Sequence, residues 1–386
     1  MSARIEEIRI QNFRAFENAR LTLSDLTFLV GRNGAGKSSL LDAIEFLRET
    51  LADNLPNALD RRNGFLGVFR KGAPAGAPLA VSAVLSADIN GQAVRMLYGF
   101  RLHDRGRDIE EVLRVEPKST LGYHRHNDVF ESDVVSPPGI SPDRLLLPAI
   151  ASYQLWNIVW TALTRMSTYE IVPQLLAAPA PIQSATRLAR TGANAADVLE
   201  DIRSRPRDKE VVLGLLQCVT PNIVDVESRA VVGQRLLYFS QRLGTFDQTF
   251  SADQMSLGTL RALGIALALR QAPAPSLLLL DEIEDSIHPR AIEAILEAVE
   301  ECVERYPVVV TTHSPEVLGT PQVTPDRVRI VQWNQGVSRL YSLSAGTCES
   351  INSLTSVGDL LRINALWPSD EPEVFHGDIF HLEPRP

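Results

Sequence analysis

Gly31-Arg32-Asn33-Gly34-Ala35-Gly36-Lys37-Ser38 decides how this chain is read. It satisfies G-x-x-x-x-G-K-[ST] at every required position. Leu26-Thr27-Phe28-Leu29-Val30 precedes it, a short apolar run with the character of a buried strand. Leu40, Leu41, Ile44, Leu47 and Leu51 follow at helical spacing, which predicts a helix from Lys37 to about Ala52. The glycines therefore lie between a strand and a helix, as a phosphate-binding loop requires. Without Cβ atoms, backbone N–H groups can turn inward and approach phosphate oxygens. Lys37 supplies a charge for β- and γ-phosphates, Ser38 a hydroxyl for Mg²⁺, and the helix N-terminus its partial positive charge.

The chain has 386 residues, 45% of them hydrophobic, enough for a large core and two or three domain-sized units. A net charge of −9 argues against a broadly basic, nucleic-acid-coating surface. The three cysteines, Cys218, Cys302 and Cys348, are far apart and form no C-x-x-C pair, which fits a reducing compartment. The charged N-terminus is unlike a signal peptide, and no apolar run approaches about 18 residues. A soluble, cytoplasmic protein with no membrane partner is expected.

Outward from the loop, residues 4–30 read as strands with a turn. Leu79–Ile89, Val94–Leu102 and Ile109–Val115 read as an antiparallel group, with Asn90-Gly91 as a hairpin turn. Residues 117–142 are loop-rich, with Pro117, Pro137, Pro138, Gly139 and Pro142. Residues 145–222 read as a mainly helical insertion and 223–250 as strands again. A helix is expected from about Leu257 to Gln271. Val357–Leu366 reads as a short helix, and the acidic tail after Pro368 as loosely ordered. The expected organisation is a discontinuous head (1–144 and 223–345), the insertion (145–222), and a C-terminal helix and tail (346–386).

Three further stretches carry chemistry. Leu277-Leu278-Leu279-Leu280-Asp281-Glu282 is an apolar strand delivering two carboxylates, the first suited to Mg²⁺ and the second to polarising water. Val308-Val309-Val310-Thr311-Thr312-His313-Ser314-Pro315 delivers a histidine in the same way, placed to sense or hold a γ-phosphate and the attacking water. In Met255-Ser256-Leu257-Gly258-Thr259-Leu260-Arg261, Ser256 reads equally as a helix N-cap or as a hydroxyl offered to a phosphate. His124-Arg125-His126 lacks ligand spacing for a metal. The basic run from Arg203 to Lys209 reads as a solvated helix end, with nucleic-acid contact as the alternative.

In this order the four elements resemble the ATP-binding-cassette ATPases, and more narrowly their RecF/SMC-related branch. Within it the match is to the short AAA_21-like predicted ATPases related to the ATPase part of overcoming-lysogenization-defect phage-defence proteins. Asn12-Phe13-Arg14 is similar to that branch's N-F-R element, Thr191-Gly192-Ala193-Asn194 to its G-x-N element, and Asp281 to Pro289 to its E-E-P-E-N-G-L-H-P segment. The resemblance implies an α/β fold, a P-loop head with a mixed sheet, an antiparallel β subdomain and a helical insertion. It implies ATP bound through Gly31, Asn33, Gly34, Ala35, Gly36, Lys37, Ser38 and Ser39, with Arg14 near the nucleotide. Ser38 and Asp281 would hold Mg²⁺, and Glu282, His313 and Lys37 would be catalytic. Ser256 and Gly258 would cap the γ-phosphate held by a second subunit, and His288 falls where transporters have a dimer-facing acid. Ile283 stands where proline is usual, and Leu257 and Thr259 depart from the transporter signature. Gln154 and Gln92 both remain open for the Q-loop glutamine.

The implied function is Mg-dependent ATP hydrolysis at a homodimer interface, regulating a separate effector, a nuclease, in phage defence or DNA repair, with nucleic acid a possible ligand. A transporter nucleotide-binding subunit and a non-hydrolysing ATP-gated scaffold are the alternatives.

Overall fold

The computed structural model describes residues 3–116, 122–127, 129–132, 139, 141–351 and 354–383. Pro117, Pro137 and Pro138 of the expected loop lie outside the described residues. The architecture is mixed α/β. The chain forms two compact units, one of residues 1–166, 326–349 and 367–386, the other of residues 167–325 and 350–366.

The first unit is built on a sheet that starts with Arg4–Phe13 paired antiparallel to Phe16–Thr22. Leu79–Ile89 joins the other edge of Arg4–Phe13, followed by Gln92–His103, Asp108–Glu116 and Tyr123–His126, all antiparallel. On the opposite side, Val337–Tyr341 runs parallel to Phe16–Thr22 and closes a hairpin with Val328–Asn334. Val328–Asn334 in turn runs parallel to Leu26–Val30. All five residues of Leu26–Val30 are buried, which is why the strand lacks alternation. The helix Lys37–Ala52 packs through Phe46, whose ring lies 5.5 Å from Phe13 and 5.9 Å from Phe100.

A buried carboxylate organises the antiparallel part. Glu111 accepts hydrogen bonds from Tyr98 at 2.9 Å, Tyr123 at 2.8 Å and the Leu147 amide at 3.0 Å, and also from the Leu146 amide. Burial pushes its carboxyl above the ordinary value.

The tail departs from expectation. Phe375, Ile379, Phe380 and Leu382 are buried in one cluster with Ala80, Val84, Leu97 and Val112. The Arg9 guanidinium donates to the carbonyls of Ile379 and His381. Apolar residues spaced along an acidic segment are enough to lay it on the sheet, although its prolines and charges suggest a loose end.

The second unit holds three parallel strands, Ser167–Tyr169, Leu278–Leu280 and Val308–Thr312. Helices Leu257–Arg270 and Pro289–Val303 belong to it, and Glu293, Glu297 and Glu301 of the latter are exposed. A separate antiparallel sheet of Ile223–Val231, Gln234–Leu243 and Phe246–Ser251 completes it, with Ala180–Pro181 at its edge. The stretch 145–222 is thus divided. Residues 145–166 belong with the first unit, and 167–222 contribute a sheet strand as well as helices Ala195–Arg203 and Pro206–Val219.

No helix among the described residues is long and apolar enough to cross a membrane.

Candidate functional site

The glycine loop belongs to the first unit. Gly34 and Gly36 have φ of 78° and 115°, and Gly36 is the N-cap of the helix Lys37–Ala52. A side chain at Gly36 is excluded twice, by that φ and by Ser338, whose Oγ would lie 2.4 Å from a Cβ there. Gly31 has no room either, since a Cβ would meet the Val331 carbonyl at 2.4 Å. The hairpin Val328–Asn334 and Val337–Tyr341 therefore shapes the loop from beneath. Ser338 is fully buried and donates to the Ala35 carbonyl at 2.7 Å. Lys37 is buried and folds its Nζ back to the Gly31 carbonyl at 2.6 Å. No side chain caps this helix, and its first turn contains no acidic residue. Its N-terminus is thus suited to an anion. Ser38 and Ser39 lie in that first turn.

Arg14 has φ of 46° and pairs with Asp42 of the same helix at 3.0 Å. Arg62 pairs with Asp42 at 2.9 Å and also with Glu49. Arg14 is therefore tied to the helix that carries Lys37. Gln92 begins its strand opposite Ile89, beside the hairpin turn, and Gln154 opens the helix Gln154–Thr164.

The second unit carries the carboxylates. Asp281 and Glu282 follow the buried strand Leu278–Leu280. Thr311 Oγ1 donates to Asp281 Oδ1 and accepts from the Glu282 amide at 2.8 Å. One hydroxyl from the neighbouring strand thus fixes both residues. Ile283 is buried, so an apolar residue suits the position where proline was expected.

Glu282 has φ of 47°, a region unfavourable for a side chain of this kind. Its carbonyl accepts from Arg261 Nη2 at 2.6 Å, and the Asp281 carbonyl accepts from the same atom at 2.9 Å. Arg261 Nη1 reaches the Ile171 carbonyl at 2.6 Å and Asp285 at 3.2 Å. Burial pulls the guanidinium below its ordinary value, against the opposing charges of Asp285, Glu282, Glu284 and Asp281.

His313 follows the strand Val308–Thr312, and its side chain is 48% exposed. Its Nδ1 lies 3.1 Å from Glu284 Oε1, which also accepts from the His313 amide at 2.8 Å. The Glu284 side chain is 9% exposed.

Ser256 caps the helix Leu257–Arg270, accepting from the Thr259 amide at 3.1 Å. Its Oγ is 2.7 Å from Thr259 Oγ1, which is 2.7 Å from Thr220 Oγ1. That hydroxyl chain accounts for threonine at 259. A Cβ on Gly258 would meet the Ser286 carbonyl at 2.6 Å, so the glycine permits a close approach of main chains. His288 caps the helix Pro289–Val303 through Nδ1.

Two outlying candidates have polar partners of their own. His124 and His126 lie on a strand rather than a loop, and face Glu110 and Asp108 at 3.0 and 2.9 Å. No metal-ligand cluster occurs among the described residues. In the basic run, Arg203, Arg205 and Lys209 pair with Glu200, with Asp201 and Asp208, and with Asp225. Arg261, Thr311, Glu284 and Ser338 received no individual role from the sequence. Arg261, Thr311 and Glu284 lie inside stretches that the sequence singles out, while Ser338 has no such local signal.

The family model described as "AAA domain, putative AbiEii toxin, Type IV TA system" matches residues 26–319. The chain belongs to this AAA_21 family. The fold of this AAA_21 protein is also that of SMC head domains. One such structure, an SMC head bound to the C-winged helix domain of ScpA, is 14% identical with a TM-score of 0.56, covering 90% of this chain and 100% of that one. Another, derived from Pyrococcus furiosus, carries an extended coiled coil and is bound to the C-terminal domain of ScpA. It is 13% identical with a TM-score of 0.52, covering 90% of this chain and 98% of that one. A comparison with curated proteins returned no match. The family is AAA_21 and the fold is that of SMC head domains, in line with the sequence resemblance.

Proposed function

We propose that this protein binds ATP with Mg²⁺, hydrolyses it at a site completed by a second copy, and thereby regulates a separate effector. The observation that carries the reading is the loop 31–38, with two glycines at positive φ opening on a helix that no side chain caps. Its residues fit a triphosphate: Gly36 exposes main-chain donors, Lys37 brings a buried charge, and no carboxylate of the first turn opposes an anion.

In this reading Gly31, Asn33, Gly34, Ala35, Gly36, Lys37, Ser38 and Ser39 hold the phosphates, with Arg14 near the nucleotide. Ser38 and Asp281 are the ligands offered to Mg²⁺, both hard oxygen donors. The metal would neutralise charge developing on the transferred phosphoryl group. Glu282 takes the proton of the attacking water, and His313, held by Glu284, contacts that water or the γ-phosphate. Ser256 and Gly258 complete the site of the partner copy.

A protein partner suits the fold, since both SMC heads were solved with domains of ScpA. The family's description, with its type IV toxin–antitoxin system, favours a role in defence, with a nuclease as the effector. DNA repair and a direct nucleic-acid ligand belong to the same reading.

The test is ATP titration and turnover. Lys37→Ala should lose ATP affinity. Glu282→Gln should bind ATP while turnover falls by roughly 10²–10⁴-fold. Hydrolysis by Glu282→Gln at the wild-type rate would remove Glu282 as the base. Mixing Ser256→Arg with Lys37→Ala protein should restore at most one composite site, and full activity in that mixture would refute the shared site. Absence of turnover in ATP-bound wild-type protein would leave the ATP-gated scaffold.

A further inference from the structure

We propose that Arg261 is a positioning residue for hydrolysis: its guanidinium holds the Asp281–Glu282 main chain in the conformation that aims the Glu282 carboxylate. Glu282 is thereby tied to the helix that Ser256 caps. The inference rests on the role given to Glu282 above.

Arg261 is 4% exposed and reaches four oxygens on two segments. They are the Ile171 carbonyl at 2.6 Å, the Asp281 and Glu282 carbonyls at 2.9 and 2.6 Å, and Asp285 Oδ2 at 3.2 Å. Two of these acceptors are consecutive carbonyls, those of the two carboxylate residues themselves. Glu282 sits at φ 47°, a strained conformation that persists only where its surroundings over-determine it. Here the amide of Glu282 is held by Thr311 and its carbonyl by Arg261. The main chain is pinned at both ends, and the direction of its side chain follows.

The residue type matters. A planar fork can serve Ile171, Asp281 and Glu282 together, whereas an ammonium on a flexible stem cannot hold the same set. The guanidinium is carried by the helix Leu257–Arg270, whose N-cap is Ser256. That helix is seated tightly. Gly258 abuts the Ser286 carbonyl, and a Cβ on Gly264 would lie 2.6 Å from Ile171 Cγ2. A shift at the Ser256 end therefore reaches the Glu282 carbonyl through one side chain. In a composite site, this connects occupancy of the partner's nucleotide to the alignment of this copy's base.

The experiment compares wild-type protein with Arg261→Lys, alone and in the Glu282→Gln background. Folding is followed by circular dichroism and urea unfolding, ATP affinity by titration, and kcat by phosphate release. Arg261→Lys should bind ATP within about threefold of wild type while kcat falls about 100-fold, the cost of misplacing a reacting group by about 1 Å. Added to Glu282→Gln, it should lower the residual rate by less than about threefold, because both changes act on one group. Folded Arg261→Lys with wild-type kcat overturns the proposal, as does a full repeat of its loss in the Glu282→Gln background. If Arg261→Lys does not fold, Asp285→Lys serves, since the Asp285 side chain is 55% exposed and the new cation opposes Nη1. It should lower kcat about tenfold at unchanged ATP affinity; an unchanged kcat overturns the proposal. ATP-bound wild-type protein without turnover overturns the proposed function, and this inference with it.

Discussion

Ser338 Oγ donates a 2.7 Å hydrogen bond to the Ala35 carbonyl, so a strand from the end of the chain supports the glycine loop near its beginning. Removing the hydroxyl leaves a loop carbonyl without this donor. Ser338→Ala should weaken ATP binding about fivefold, from roughly 1 kcal/mol for one hydrogen bond. Titration with a fluorescent ATP analogue measures it. An unchanged affinity would show that the loop keeps its shape without this support.

Glu284 bonds both the amide and the ring of His313. Glu284→Ala releases the ring, and kcat should fall by about 10- to 100-fold with ATP affinity little changed. Glu284→Gln retains an oxygen that can accept from Nδ1–H and should keep most of the activity. Equal losses in the two variants would mean that the charge, rather than the orientation, matters.

Gly258 is separated from the Ser286 carbonyl by less than a methyl group requires. Gly258→Ala should displace one segment or the other and destabilise the protein by about 1–3 kcal/mol in urea unfolding. Binding of ATP to the glycine loop should survive, while ATP-dependent dimerisation, read by light scattering, should weaken.

Glu111 offers a test remote from the site. Glu111→Ala leaves two tyrosine hydroxyls and two amides without their acceptor, at a cost of about 3–5 kcal/mol. Burial raises the folded-state value of this carboxyl above the ordinary one of about 4.3. Its protonated form is therefore favoured by folding. The stability from that shift is complete below the ordinary value and is lost as pH rises through the folded value. Urea unfolding of Glu111→Ala across acidic pH should lack that decline.

Much of the fold was legible because its signals are local. The helix from Lys37 to Ala52 and the hairpin of Leu79–Ile89 with Gln92–His103 about Asn90-Gly91 follow from periodicity and turn residues within a few positions. The strand Ser167–Tyr169 was missed, since three residues offer no period and its partner Leu278–Leu280 is distant in sequence. The residues of the candidate site stand where the apolar runs end. The groups that hold them stand elsewhere. Thr311 serves Asp281 from the next strand, Arg261 serves Glu282 from a helix, and Ser338 serves Ala35 from the far end of the chain. None of these pairings leaves a mark on residue spacing. The tail deceived for the opposite reason: its composition is that of a loose end, but four apolar side chains fasten it.

That fastening joins segments far apart in sequence. The Arg9 guanidinium lies on the strand Arg4–Phe13, and the carbonyls of Ile379 and His381 that accept from it lie 370 and 372 residues later in sequence. Until the two segments meet, the guanidinium has the Glu7 carboxylate but not these carbonyls, and the apolar face lacks its cover. Contacts between segments so far apart close slowly, because loop entropy is lost before they form. The face that carries Ala80, Val84, Leu97 and Val112 is thus completed late in folding, when residues 375–382 dock on it.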